Sequence, residues 1–279
     1  MDIHTFIGNY REAFGQQAGL PIVFWYSDQP EAPAEKVNGC FFKSMAQVRN
    51  GKIISLNAET IGCGGGKFYT GFTDMPEHVP GFVSLKEKYK KTPDMVIDFI
   101  QELQVPKAEK AYLHFARIDK IGSFDKVEGI LFLATPDMLA GLATWAFFDS
   151  NATDAVSAPF GSGCCSVVTQ AILENWKQGK RTFLGFFDPS VRPHFEAELL
   201  SFTILSVPNT EYRFVAVGRG GEDPFQKVFL IGYGLQVVYK RQPCPHIVAV
   251  GIYGTVYGSG IFYRYFTQHN IRTDFKRYI

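Results

Sequence analysis

Residues 112–148 read YLHFARIDKIGSFDKVEGILFLATPDMLAGLATWAFF, and this stretch decides the fold class. Two apolar, β-prone runs, Tyr112–Ile118 and Gly129–Ala134, predict strands on either side of a turn at residues 122–125. Thr135-Pro136-Asp137 then predicts the start of a helix. Threonine caps free amides, proline fits the first helical position, and aspartate favours the positive end of the helix dipole. Strands that alternate with capped helices predict a layered fold.

The same pattern extends in both directions along the chain. Thr92-Pro93-Asp94-Met95 repeats the helix-start signal, and Ile22–Tyr26 and Thr182–Phe187 have the composition of strands. A helix over residues 40–50 is predicted to end at Gly51, because glycine readily adopts the left-handed conformation that closes a helix. We therefore predict an α/β or α+β fold in which helices pack on a mixed β-sheet within a single main domain.

The N-terminal segment and the overall composition limit the partners of this chain. Apolar residues make up 46% of the 279 residues, and the formal net charge is only +1. The opening sequence MDIHTFIGNYREAF has no basic segment followed by an apolar run, although its apolar spacing predicts a helix that ends at Gly19. No apolar stretch reaches the length of a membrane span. We expect a cytoplasmic protein with no nucleic-acid or membrane partner. The sequence is compatible with a homo-oligomer as well as with a monomer.

The C-terminal segment differs in character from the rest. It is basic, rich in aromatic residues and dotted with glycine, as in GIYGTVYGSGIFYRYF. We expect a main domain over residues 1–205 and an atypical extension over residues 206–279. Alternation at Val248, Val250 and Ile252 predicts an antiparallel β extension, and a poorly ordered segment is the alternative.

Cysteine and glycine coincide in the sequence GCGGGK at residues 62–67, which predicts a glycine-rich turn. Five cysteines in a chain without a secretion signal predict thiols or ligands rather than a disulfide framework. Cys40 and the adjacent Cys164 and Cys165 each precede a predicted helix, whose N-terminus stabilises a thiolate. If the fold brings Cys40, Cys63 and Cys164 together, the three thiolates suit a transition metal or an iron–sulfur cluster. The alternative is that each cysteine is a small buried apolar residue.

A second hypothesis gives the glycine-rich turns a binding role without catalysis. Successive backbone amides in such turns can hold an anion, and a lysine adds positive charge. The residues predicted to bind a small anionic ligand are Gly64, Gly65, Gly66, Lys67, Ser162 and Gly163. His114, in a predicted strand, is interpreted as a core residue with satisfied hydrogen bonds rather than as a ligand. No catalytic residue is identified, so whether the chain is an enzyme stays open.

Several longer motifs resemble one protein family from Gly39 to about Phe202. They are GCFFKSMAQVRNGK, NAETIGCGGGKFYTGF, YLHFARID, ATPDMLAGLATWAFFD, FGSGCCS and FLGFFDPSVRP. These motifs are similar to the domain of unknown function 169, a family without an agreed activity. The resemblance implies recurrent cysteines at Cys40, Cys63 and Cys164 or Cys165. Beyond about Ile204 the sequence departs from the family pattern, and we expect either a native extension or a reading-frame artefact there.

Overall fold

The computed structural model describes most of the first 205 residues and three later strands. The described ranges are residues 2–148, 151–159, 168–177, 179, 181–187, 190–195, 200–205, 225–229, 236–241 and 248–253. The chain divides into two compact units, one of residues 1–8 and 19–212 and the other of residues 9–18 and 213–279. The first unit contains every residue of the candidate sites described below.

Helices and strands alternate along the described chain. The helices are α1 (Ile3–Phe14), α2 (Met45–Arg49), α3 (Gly64–Tyr69), α4 (His78–Gly81), α5 (Pro93–Leu103), α6 (Pro136–Phe148) and α7 (Gln170–Trp176). A 3-10 helix, Phe41–Ser44, leads directly into α2, and a π-helical turn, Phe82–Lys86, follows α4. The strands are β1 (Ile22–Ser27), β2 (Ile54–Leu56), β3 (Tyr112–Arg117), β4 (Gly129–Ala134), β5 (Val156–Ser157), β6 (Thr182–Gly185), β7 (Leu200–Leu205), β8 (Phe225–Phe229), β9 (Gln236–Arg241) and β10 (Val248–Tyr253).

The first unit contains a seven-stranded sheet in the order β2-β3-β1-β4-β7-β6-β5. Neighbouring strands are antiparallel except β5 and β6, which run parallel. This mixed sheet with associated helices confirms the predicted fold class. The strand order was not predicted, because β1 pairs with two strands that begin 85 and 102 residues after it ends, β3 on one side and β4 on the other.

Both faces of the central strands are buried, and they differ in chemistry. Alternate side chains of a strand point to opposite faces. Ile22 and Phe24 belong to a large apolar cluster that also contains residues from the 3-10 helix, α2 and α7. Val23 and Trp25, on the opposite face of the same strand, are also buried. Trp25 lies directly opposite His114 of β3 in the register, and their rings are 5.2 Å apart.

Local helix signals predicted from the sequence are confirmed. The Thr92 hydroxyl accepts a hydrogen bond from the Met95 amide at 3.3 Å, at the start of α5. The Thr135 hydroxyl accepts one from the Met138 amide at 3.4 Å, at the start of α6. Gly51 follows α2 with a φ of +98°, which is the left-handed conformation expected after a helix end.

Two sequence predictions about local structure are wrong. Residues 64–67 are not a turn, because Gly64, Gly65, Gly66 and Lys67 form the first residues of α3. A Cβ on Gly66 would lie 3.1 Å from a methyl carbon of Ile61 and 3.2 Å from the Phe41 ring. The helix packs so closely against these two residues that glycine is favoured at position 66. The first helix ends at Phe14 rather than near Gly19, and Gly15 takes the left-handed conformation with a φ of +92°.

The second unit contains a three-stranded antiparallel sheet in the order β10-β9-β8. The alternating residues Val248, Val250 and Ile252 lie in β10.

Candidate functional site

Two segments, residues 37–39 and 60–62, run side by side in the same direction. The Val37 amide donates to the Thr60 carbonyl at 2.8 Å, and the Gly62 amide donates to the Val37 carbonyl at 2.9 Å. A Cβ on Gly62 would lie only 2.4 Å from the Val37 carbonyl oxygen, so this approach requires glycine. Because the segments are parallel, the residues that follow them, Cys40 and Cys63, leave the pairing at the same end.

Each of these cysteines occupies the N-cap position of a short helix. Cys40 precedes the 3-10 helix Phe41–Ser44, and Cys63 precedes α3. The Cys63 Sγ accepts a hydrogen bond from the Gly66 amide at 3.4 Å. Both thiols are half-buried, and they are not joined in a disulfide. We call Cys40, Cys63 and the segments 37–39 and 60–62 the thiol corner.

The C-terminal end of α3 is held by two hydroxyl groups from distant parts of the first unit. The Tyr26 hydroxyl of β1 donates to the Thr70 carbonyl at 2.8 Å. The Thr169 hydroxyl, immediately before α7, donates to the Tyr69 carbonyl. These contacts fix the position of α3 and therefore of Cys63 at its other end.

The structure describes some of the predicted site residues and not others. Gly64 and Gly65 are half-buried, Gly66 is buried, and the Lys67 amide donates to the Cys63 carbonyl at 3.0 Å as in a regular helix. Ser162, Gly163 and Cys164 lie outside the described residues. Within the described part of the chain, no group of three or more His, Cys, Asp or Glu side chains is placed to hold a metal ion.

A basic cavity of about 240 Å³ lies beside the thiol corner. It is lined by residues on both sides of Cys40 in the sequence, Asn38 and Lys43 among them, and by Lys36 and Lys52. The Lys52 ammonium pairs with the Glu35 carboxylate at 2.6 Å, and the Lys43 ammonium donates to the Asn38 carbonyl. Sequence reasoning missed this cavity, because its three lysines have no motif spacing.

A second polar centre lies around His114, on the face of the sheet opposite to the large apolar cluster that contains Leu113 and Phe115. Its Nε2 is 2.7 Å from the Ser27 hydroxyl oxygen, and its Nδ1 is 3.0 Å from the Ser55 hydroxyl oxygen. The imidazole is fully buried, and this burial lowers the pKa of His114 to about 4. The interpretation of His114 as a core residue with satisfied hydrogen bonds is confirmed. We call His114, Ser27 and Ser55 the histidine network.

The hydrogen bonds around this network assign one arrangement of protons. The Ser27 hydroxyl donates to the Gln29 carbonyl at 2.5 Å, so it accepts from His114 Nε2. The Ser55 hydroxyl accepts from the amides of Glu31 and Ala32, so it donates to His114 Nδ1. A neutral imidazole satisfies every group in this arrangement. Because the Ser27 proton is directed at a carbonyl, His114 is not placed to activate Ser27 as a nucleophile.

Comparisons with known proteins identify a family. Within the described ranges, no helix has both the length and the apolar character that a bilayer-spanning segment needs. No curated protein and no solved structure matches the chain. The model of the domain of unknown function 169, described as an uncharacterised ArCR, matches residues 22–206. This match covers most of the chain and includes the thiol corner, the basic cavity and the histidine network, so the chain belongs to the family of the domain of unknown function 169.

Proposed function

We propose that this chain is a cysteine-dependent protein whose thiol corner binds a soft transition metal or an iron–sulfur cluster for redox chemistry. The observation that carries the proposal is the parallel pairing of residues 37–39 with residues 60–62, which directs Cys40 and Cys63 to one end of the pair. Thiolates are the ligands that such metals and clusters prefer. The histidine network offers no comparable chemistry, because all of its polar groups are already hydrogen-bonded to each other or to the loop at residues 29–32.

Backbone hydrogen bonds support a thiolate at Cys63. The Gly66 amide donates to its sulfur from the first turn of α3. Amides at the start of a helix stabilise a negatively charged sulfur, as they do in reactive cysteines generally. The same amide would hydrogen-bond a metal-bound thiolate, and such contacts orient metal ligands.

The chain connectivity allows a third thiolate. Thr169 contacts the end of α3 that is opposite to Cys63. Cys164 and Cys165 precede Thr169 in the sequence by five and four residues, and an extended chain covers at most about 3.3–3.6 Å per residue. Cys164 or Cys165, both of which lie outside the described residues, is the third ligand of this proposal, together with Cys40 and Cys63.

The basic cavity favours a second candidate function, the binding of a small anion without catalysis. Lys36 and Lys43 both line it, and they lie four residues before and three residues after Cys40 in the sequence. In this alternative the lysines of the cavity hold the ligand, and the cysteines are structural.

Metal analysis of protein purified without oxygen tests the first function. We expect stoichiometric metal and a thiolate-to-metal absorption band in the unmodified protein, both lost in Cys40→Ser, Cys63→Ser and Cys164→Ser. Cys244→Ser is the control, because Cys244 lies outside the family match, and it should keep the metal. A metal-free unmodified protein would overturn the metal proposal.

Thermal shifts with inorganic phosphate test the second function. Stabilisation that persists in Cys63→Ser and disappears in Lys43→Met would support the anion-binding alternative. Equal stabilisation of the unmodified protein and of Lys43→Met would contradict it, because a general salt effect does not depend on one lysine.

A further inference from the structure

A separate cavity of about 350 Å³ opens on the face of the sheet that carries the histidine network. Its wall includes Trp25 of β1, the half-buried apolar side chains of Ile53 and Ile121, and the charged groups of Glu31 and Lys126. We call this space the Trp25 cavity. None of these residues belongs to the thiol corner or to the basic cavity, so the inference drawn from them is independent of the proposed function.

The indole nitrogen of Trp25 is an unexplained buried donor. Trp25 is only 2% exposed, and its Nε1 forms no hydrogen bond of ordinary geometry. A buried N–H group without a well-placed acceptor destabilises the fold, so such groups are rare and call for a physical reason. The Lys126 ammonium and, to a smaller extent, a hydrogen bond from the Trp25 side chain lower the pKa of the Glu31 carboxyl, so Glu31 already interacts weakly with the indole donor.

Lys126 and Glu31 cover this donor. The Lys126 ammonium lies 4.6 Å from the centre of the Trp25 ring and 2.5 Å from a Glu31 carboxylate oxygen. Both side chains remain roughly half exposed, so this ion pair can open at little cost. The chain thus places one of its own carboxylates beside an ammonium group and an indole N–H, which is the donor set that a bound carboxylate needs.

From this arrangement we propose that the Trp25 cavity is a binding site for a small carboxylate with a short apolar body. The carboxylate takes the Trp25 N–H and the Lys126 ammonium as donors after Glu31 moves aside, and Lys120 on the rim adds a second positive charge. Ile53 and Ile121 contact the apolar body. Glu31 acts as an internal competitor for the same donors, and Asp125, which also lines the cavity, disfavours ligands with more than one negative charge.

Nuclear magnetic resonance of the indole N–H groups tests this site on the full chain. The chain has three tryptophans, so Trp145 and Trp176 serve as internal controls, and Trp25→Phe assigns the Trp25 signal. Butyrate should shift the Trp25 signal saturably and leave the other two unchanged. Lys126→Met should weaken butyrate binding about fivefold, which is the value of an ion pair worth about 1 kcal/mol. Glu31→Gln should strengthen butyrate binding, because it removes the competing charge.

Two further probes decide the class of ligand. Inorganic phosphate and choline are titrated in parallel with butyrate, because phosphate tests oxyanions in general and choline tests a cation that replaces Lys126 on the Trp25 ring. A response to phosphate or choline without a response to butyrate overturns the carboxylate assignment. No shift of the Trp25 signal with butyrate up to about 50 mM, far above a millimolar Kd, overturns the site itself. An unchanged affinity in Lys126→Met also overturns it.

Discussion

The thiol corner and the histidine network lie in one sheet-and-helix unit, yet different forces position them. In the thiol corner two backbone segments approach so closely that Gly62 has no room for a side chain. In the histidine network three side chains hold each other by hydrogen bonds across β1, β2 and β3. In the thiol corner the backbone alone fixes the geometry, so the Cys40 and Cys63 side chains remain available for chemistry. In the histidine network the polar side chains are all hydrogen-bonded, so they contribute to stability instead.

This difference predicts that the two regions respond to different perturbations. Added volume should damage the thiol corner, whereas added protons or lost hydroxyl groups should damage the histidine network. Four measurements, in order of decreasing expected effect, test that separation.

Gly62→Ala should have the largest effect. The new methyl group would meet the Val37 carbonyl oxygen at 2.4 Å and the Gly39 amide nitrogen at 3.2 Å, and neither backbone group can turn away as a side chain can. We expect the free energy of unfolding to fall by about 3 kcal/mol, measured by urea denaturation. Gly81→Ala is the control, because a Cβ there meets nothing within 4 Å. Equal stability of the two variants would contradict a sterically fixed corner.

Acid should weaken the protein through His114. The unfolded chain binds a proton at this imidazole near its ordinary pKa of 6.5, whereas burial delays protonation of the folded chain until about pH 4. Between these values the unfolded state binds more protons, so the stabilisation is complete above about pH 6.5 and is lost as the pH falls towards 4. The expected loss is roughly 2–3 kcal/mol.

Comparison with His114→Gln isolates this contribution, because carboxylates titrate in both proteins. Urea denaturation from pH 7 to pH 4 should give a clearly steeper loss of stability for the unmodified protein than for the variant. Parallel pH profiles would mean that His114 is not held neutral by the fold.

Ser55→Ala should cost about 2 kcal/mol. The substitution leaves His114 Nδ1 and the amides of Glu31 and Ala32 without the hydroxyl that they share. Ser123→Ala is a matched control, because the Ser123 hydroxyl oxygen accepts a single bond from the Asp125 amide in an exposed loop. Thermal denaturation should separate the two variants clearly, and similar melting temperatures would argue against a cooperative network.

Substitution of Cys63 should have the smallest effect on the free energy of unfolding, and the effect should depend on which residue replaces the cysteine. Serine keeps an acceptor for the Gly66 amide at the start of α3, whereas alanine removes it. We expect Cys63→Ala to be less stable than Cys63→Ser by about 1 kcal/mol, the usual value of a helix cap. Both variants should lose metal equally if the sulfur is a ligand. If Cys63→Ser kept its metal while Cys63→Ala lost it, Cys63 would act only as a helix cap and not as a metal ligand.

The parts of the fold that were predictable from the sequence are those decided by neighbours along the chain. Thr92, Thr135 and Gly51 act within one helix turn, so their patterns predicted the observed helix ends. Gly64–Gly66 misled the same reasoning, because glycine propensity favours a turn while the packing of Ile61 and Phe41 around Gly66 favours a helix. That packing is tertiary, and no local pattern reports it.

The candidate sites were predictable to different degrees for the same reason. Residue type alone identified Cys40 and Cys63 as candidates. Both lie at the start of a helix, but of these two only Cys40 was predicted to do so. The interpretation of His114 followed from its place in an apolar strand. The Trp25 cavity gave no sequence signal, because Glu31 and Lys126 are separated by most of a hundred residues and meet only through the pairing of β1 with β4.

The central place of β1 in the sheet also determines when the chain can fold during synthesis. Its partners on the two sides, β3 and β4, begin 85 and 102 residues after β1 ends. At about 5–20 residues per second, the ribosome therefore needs several seconds to supply both. Throughout that interval the apolar run IVFWY has neither neighbour. A newly made N-terminal half therefore carries an unpaired aggregation-prone strand, and cellular folding of this protein should depend on holding that strand until residue 134 has emerged.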